Sequence, residues 1–241
     1  MSTLSLDPQS APDGRDFMPL HGIDHIELWV GNAAQAAYYL CHAFGFTEVA
    51  YAGLETGLRD RVSHVLQQGR IRLVLTGALR EGTEIGEHQR AHGDGVKRVA
   101  MGVPDVAAAY REATARGARG LTAPFELRDE HGVVRIADIA AYGETVHRFV
   151  ERADYAGAFL PGFADVAHDG DARLPSLFAG IDHVVANVEL GAMERWVKYY
   201  EDVFAMTELI HFSDEAISTE YSALMSKVVT SGDGRVKLPI N

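Results

Sequence analysis

The chain spells one strand twice. GIDHIELWV starts at Gly22 and GIDHVVANV starts at Gly180, which puts His25 and His183 at matching places. The flanks show that the match is a repeat. After the first copy, Ala36, Ala37, Leu40, Ala43 and Phe44 recur at i, i+1, i+4, i+7 and i+8. After the second, Trp196, Val197, Tyr200, Val203 and Phe204 keep the same spacing. That spacing is one apolar stripe on a helix of about 3.6 residues per turn. The repeated unit is therefore a strand, a short polar turn and an amphipathic helix, and this periodicity governs any fold the chain can adopt.

Read along the chain, residues 22–30 form a strand and 32–44 a helix. VSHVLQQ and IRLVLT follow as extended runs split by Gly69, a hairpin pattern. ALREGTEIGEHQRAHGDG is polar and Gly-bearing and reads as a loop or short helix. A second unit opens at VKRVAMGV. Pro104 fits the first turn of the next helix, and Gly117 fits its stop. Three extended runs follow: GLTAPFEL, GVVRIADIA and TVHRFVER. The turn-rich stretch after Arg152 reads as a linker over 153–177. Gly180 then opens a third unit: a strand over 180–188, a helix over 191–204, and the runs MTELIHF, TEYSALMSKVV and RVKLPIN, with SGDG as a turn. This order predicts an α+β fold of tandem βαβββ units. Two lie in a first domain over 20–152 and one over 178–241, after a disordered tail over 1–19. A unit of this kind exposes a sheet face and normally buries it against a partner unit. The first two units can pair. The third has no partner unit in the chain, so it is expected either to pair with a second copy in a homo-oligomer or to belong to a longer protein.

Charge and cysteine use narrow the function classes. The net charge of −12 argues against nucleic acid or an anionic membrane surface as a partner, since both need a basic face. No stretch is long and apolar enough to span a bilayer, and the N-terminus lacks the pattern of a secretory signal. Cys41 is the single cysteine. Intrachain disulfides are thereby excluded, and a reducing cytoplasm is expected.

The stretches GNAAQAAYYLCHAFGF, EHGVV, FLPGF, IDHVVANVELGAMERWV, TEYSALMSKVV and VKLPIN resemble the 4-hydroxyphenylpyruvate dioxygenase family of the vicinal oxygen chelate superfamily, from about residue 20 to Asn241. The resemblance implies an Fe(II) enzyme. Such an enzyme takes a small aromatic 2-oxo acid, 4-hydroxyphenylpyruvate, and O2 to homogentisate and CO2 in tyrosine breakdown. It implies a first domain without metal and a metal-bearing domain that begins at about residue 178 and continues beyond Asn241. The expectation is that the 241-residue chain is a C-terminally truncated, inactive fragment.

The family pattern gives iron two histidines and one glutamate, a donor set that leaves open positions for a chelating oxo acid and oxygen. By that pattern His183 is the first ligand, and the other two lie beyond Asn241. Strand alternation puts Ile181, His183, Val185 and Asn187 on one face, and Ile23, His25, Glu27 and Trp29 on another. His25 and Glu27 were therefore weighed as a second metal pair. The family places a second histidine on the strand that opens the following unit, where this chain has Arg98, and a guanidinium has no lone pair to donate. Ser222 and Asn241 match family positions that line the substrate pocket, and Pro239 and Val185 would form part of its apolar wall. Absent the resemblance, a packed strand serine and a turn asparagine are the preferred readings of the first two. His88 and His92, four apart, read as part of a solvated loop rather than a zinc site. Glu27, Glu48 and Glu55 lack any fixed spacing for paired-carboxylate chemistry. Two rival functions remain. In 4-hydroxymandelate synthase the family pattern departs from LPIN. The other rival is a metal-free small-molecule binding protein of the same superfamily.

Overall fold

The computed structural model describes residues 16–167, 176–212, 218–219, 222–223 and 226–241. The first copy of the repeat comprises β1 (Gly22–Trp29), α1 (Ala33–Phe44), β2 (Thr47–Ala52), β3 (Arg61–Gln68) and β4 (Ile71–Ala78). Asn32 caps α1 by accepting from the Gln35 amide, and Gly45 ends it at φ 74°. Gly69 closes the β3–β4 hairpin with a φ of 57°. Between the copies lies α2 (Glu84–His92), capped by the Thr83 hydroxyl, so the polar stretch carrying His88 and His92 is a helix and not a solvated loop. The second copy is β5 (Gly95–Gly102), α3 (Val106–Ala115), β6 (Gly120–Asp129), β7 (Gly132–Ala140) and β8 (Val146–Glu151). Pro104 falls outside α3 instead of in its first turn. The Asp105 carboxylate accepts from the Ala108 amide and fixes the N-cap one residue after the proline.

These strands and the short β9 (Ala164–Asp165) form one sheet ordered β6-β7-β8-β5-β1-β4-β3-β2-β9. β1 runs parallel to β4, and β5 runs parallel to β8. The copies meet through their first strands, antiparallel, with Glu27 opposite Arg98. The turn-rich stretch after Arg152 is packed, because Phe159 and Leu160 are buried against the sheet and β9 extends its edge along β2. Residues 168–175 of the expected linker and 1–15 of the expected tail lie outside the described residues. Met18 and Leu20, at 1% and 3% exposure, belong to the core.

The third region contains α4 (Met193–Phe204), β10 (Thr207–Phe212), β11 (Ser218–Thr219), β12 (Ser222–Ala223), β13 (Ser226–Thr230) and β14 (Lys237–Ile240). A small sheet runs β10-β13-β14. The strand expected over 180–188 is an extended segment with one parallel bridge, Ala186 to Ile240. Its bonds to β14 come from alternate residues: the Val184, Ala186 and Val188 amides donate to the Lys237, Pro239 and Asn241 carbonyls at 3.2, 2.8 and 3.0 Å. With β14 on one side and no strand among the described residues on the other, the segment has half the ladder that fixes β1. Its parallel relation to β14 repeats that of β1 to β4.

The helix of this region is covered within the chain. Val197, Tyr200, Val203 and Phe204 of α4 share one buried core with Val106, Ala109 and Ala113 of α3, Phe149 of β8, and Leu238 and Ile240 of β14. Each large apolar side chain so buried contributes about 1.5–3 kcal/mol. The partner found for this face is the helix of the second copy, a solution that the sequence reading did not include. On the outward face of the small sheet Pro239 and Lys237 of β14 are half-buried, while Ser226, Val228 and Thr230 of β13 are buried.

Candidate functional site

Val184, Ala186 and Val188 point into the core. Alternation therefore turns His183, Val185 and Asn187 outward, as expected. Ile181 does not join them. It packs with Leu40, Phe44 and Ile71 beside α1, where the nearby Ala179 carbonyl accepts from the Arg70 amide at 2.9 Å. The His183 side chain is 49% exposed, with Nδ1 2.8 Å from an Asp182 carboxylate oxygen. Asp182 also accepts from Lys237 Nζ at 3.0 Å. The bond to His183 first, and then that from Lys237, hold its carboxyl below the usual range. Asn241 Nδ2 donates to Asn187 Oδ1 at 3.3 Å, while Asn241 Oδ1 is buried with no partner among the described residues. Pro239 is half-buried on β14 and Val185 is exposed. Ser222 pairs through its backbone with Thr219, and its side chain lies outside the described residues. No group of three metal donors among the described residues includes His183. The residues around it do not by themselves complete an iron site.

The matching histidine of the first copy is in a different environment. His25 is buried, its Nδ1 is 2.6 Å from Asp24, and its ring meets Phe159 edge-on at 5.1 Å. Burial pushes its pKa down against the pull of Asp24. Glu27 spends both oxygens. One accepts from Arg98 Nη1 at 2.7 Å, and the other from Trp29 Nε1 at 3.1 Å and Thr76 Oγ1 at 3.0 Å. Burial alone would raise the Glu27 pKa, but the facing guanidiniums of Arg98 and Arg148 lower it and keep it ionised. Arg98, the residue that argued against a metal here, is the residue that neutralises Glu27. These groups floor a cleft of about 470 Å3 walled by Phe125, Phe159 and Phe163. Glu48 and Glu55 are engaged separately, with His64 at 2.7 Å and Tyr51 at 2.7 Å. Burial raises the Cys41 thiol pKa, which disfavours the nucleophilic thiolate.

A third group escaped the sequence reading as a unit. His88 and His92, one turn apart on α2, converge on Glu144 in the turn between β7 and β8, and the three donor atoms lie within 4.8 Å of one another. Two imidazoles and a carboxylate are a donor set that suits a divalent transition metal. Glu144 is far from the histidines in sequence, and its turn, AYGE, carries no metal signature. Only the spacing of the histidines was visible.

The profile of the Glyoxalase/Bleomycin resistance protein/Dioxygenase superfamily matches residues 22–140. A 4-hydroxyphenylpyruvate dioxygenase of Dictyostelium discoideum is 44% identical over 227 residues, covering 92% of this chain and 62% of that protein. Its counterpart in Danio rerio is 42% identical over 99% of this chain and 61% of that protein. Among solved structures, a substituted variant of 4-hydroxymandelate synthase from Streptomyces coelicolor superposes with a TM-score of 0.75 at 26% identity, over 92% of this chain and 63% of that one. The chain thus spans about three fifths of the length of these relatives. Among the described residues, no helix is long and apolar enough to cross a membrane.

Proposed function

Because the chain belongs to the 4-hydroxyphenylpyruvate dioxygenase family of the glyoxalase/bleomycin resistance protein/dioxygenase superfamily, we propose that it serves, in a protein of the relatives' full length, the Fe(II)-dependent conversion of 4-hydroxyphenylpyruvate and O2 to homogentisate and CO2. One observation carries this reading. The 183–188 segment lies parallel to β14 and presents His183, Val185 and Asn187 outward beside that strand, where Asn241 meets Asn187. On this reading the region from Gly180 is a third βαβββ unit, which pairs with a fourth in a protein of the relatives' length. His183 supplies one metal ligand there, with Asp182 fixing the ring through Nδ1 and leaving Nε2 free to ligate. Bound iron would supply Lewis acidity and oxygen activation. Val185 and Pro239 give an apolar wall, and the Asn241 carboxamide and Ser222 hydroxyl give polar contacts that orient an aromatic 2-oxo acid. Asn241 Oδ1, buried and without a partner among the described residues, is an acceptor that a small movement of the side chain would offer for such a contact.

The test is a product assay on the full-length protein. Homogentisate from wild type, and none from His183→Ala with its heat melt unchanged, supports the reading. Hydroxymandelate as product would assign the chain to the synthase instead, and full activity in His183→Ala would remove His183 from the site.

A further inference from the structure

We propose that His88, His92 and Glu144 form a second metal site, for one zinc-class divalent cation, that does not use His183. Two of the three donor separations already match a coordination sphere, and all three donors lie within 4.8 Å of one another. With metal–ligand bonds of about 2.0–2.1 Å at the tetrahedral angle, neighbouring donors lie about 3.3 Å apart. His88 Nδ1 is 3.1 Å and His92 Nε2 3.4 Å from the same Glu144 oxygen. A cation seated among these atoms needs only small side-chain shifts.

The scaffold holds the donors in place. The histidines stand at i and i+4 on a capped helix, so both imidazoles share a face. His88 is fixed further, because its side chain is 9% exposed and its ring stands perpendicular to Trp29 at 5.2 Å. Glu144 follows Gly143, whose φ of 55° turns the chain towards α2. Arg90 and Arg119 line the same crevice as His88 and Glu144, and the charge of Lys97 bears on Glu144. Lys97 Nζ, however, lies 4.5 Å from the Trp29 ring centre and pairs with Glu84 at 3.4 Å. Two imidazole nitrogens select against magnesium and calcium, which take oxygen ligands, and favour zinc and its neighbours. Three protein ligands leave a fourth position open. It faces a crevice lined by Tyr142, Val185 and Asn187, so the cation would tie α2 to the β7–β8 turn beside the 184–189 segment.

The test uses the metal-stripped chain titrated with zinc by calorimetry and with cobalt(II) by visible absorption. The expected result is one equivalent bound, ligand-field bands of tetrahedral intensity and a raised melting temperature. His92→Ala and Glu144→Gln should each weaken binding by more than the roughly 10–100-fold that loss of an outer-shell partner costs, and His183→Ala should leave it unchanged. His92 and Glu144 are half or more exposed, so metal-free melts of both variants are expected to match wild type. Absence of binding overturns the proposal. So does binding that survives the paired substitution of His92 and Glu144, or binding lost in His183→Ala.

Discussion

The Tyr200 hydroxyl lies 2.8 Å from His147 Nε2, and neither side chain reaches solvent. The bond joins α4 to β8, and with it the C-terminal region to the large sheet. Around it, Phe204 meets the His147 ring edge-on at 5.4 Å, and Tyr199 donates to the Ala140 carbonyl at 3.0 Å. Tyr200→Phe keeps the ring and strips the bond. A buried polar nitrogen then loses its partner, at a cost of about 1–3 kcal/mol. Urea unfolding would measure this. A loss below about 0.5 kcal/mol would mean that the bond does not couple the regions.

His147 also sets an acid limit. Burial lowers its pKa from 6.5 to about 4. In the unfolded chain the imidazole titrates near its ordinary value. Between these pH values the unfolded state binds a proton that the folded state refuses. Stability is therefore intact above pH 6.5 and falls as the pH drops towards 4, by about 3 kcal/mol in total. His25, also depressed by burial, acts in the same direction. His147→Gln should make the slope of stability against pH shallower across this window without flattening it. An unchanged slope would place the acid sensitivity elsewhere.

Glu27 and Arg98 form the central ion pair of the β1–β5 junction, at 2.7 Å with side chains 12% and 19% exposed. Arg98→Met alone leaves a largely buried carboxylate without its ion-pair partner, with only the more distant Arg148 to offset its charge. The expected cost is about 3 kcal/mol, the lower end for a broken buried pair because both groups keep some exposure. Adding Glu27→Gln should recover most of it, since a carboxamide oxygen still accepts from Trp29 and Thr76. A double-mutant cycle reads the difference. Additive losses would show that the two charges are not coupled.

The sequence carried the repeat because strands and helices write themselves locally. The stripe of α4 and the alternation around His183 are nearest-neighbour patterns, and both appear in the structure. β2 was missed because TEVAYA alternates weakly, its buried places being filled by the small Ala50 and Ala52. The partner of α4 was missed because docking against α3 depends on shapes that no local period encodes. The strand over 180–188 was over-read, since a strand pattern does not say whether a second neighbour will complete the ladder. At the candidate metal cluster, helical spacing announced His88 and His92. Glu144 became visible only when the β7–β8 turn was seen folded against α2.

Gln68 holds the start of the C-terminal region to the first hairpin. Its side chain is buried at the end of β3. Nε2 donates to the Phe44 carbonyl at 2.7 Å, and Oε1 accepts from the Phe178 and Leu177 amides at 2.7 and 3.2 Å. The neighbouring Arg70 amide donates to the Ala179 carbonyl at 2.9 Å. Three hydrogen bonds thus fix residues 177–179 against the β3–β4 turn, although the Leu177 and Phe178 side chains are exposed. Gln68→Leu removes the acceptor for two of these amides and should release the segment locally while the core stays folded. A loss of about 1.4 kcal/mol in local opening raises the open fraction tenfold. Chymotrypsin cleavage after Leu177 or Phe178 should then accelerate by about that factor, with the global urea midpoint moving much less. Gln68→Glu keeps the acceptor and forfeits only the bond to Phe44, so its cleavage rate should fall between the two. A rate in Gln68→Leu within about twofold of wild type would show that the Arg70–Ala179 bond and the packing of Ile181 hold the segment without Gln68.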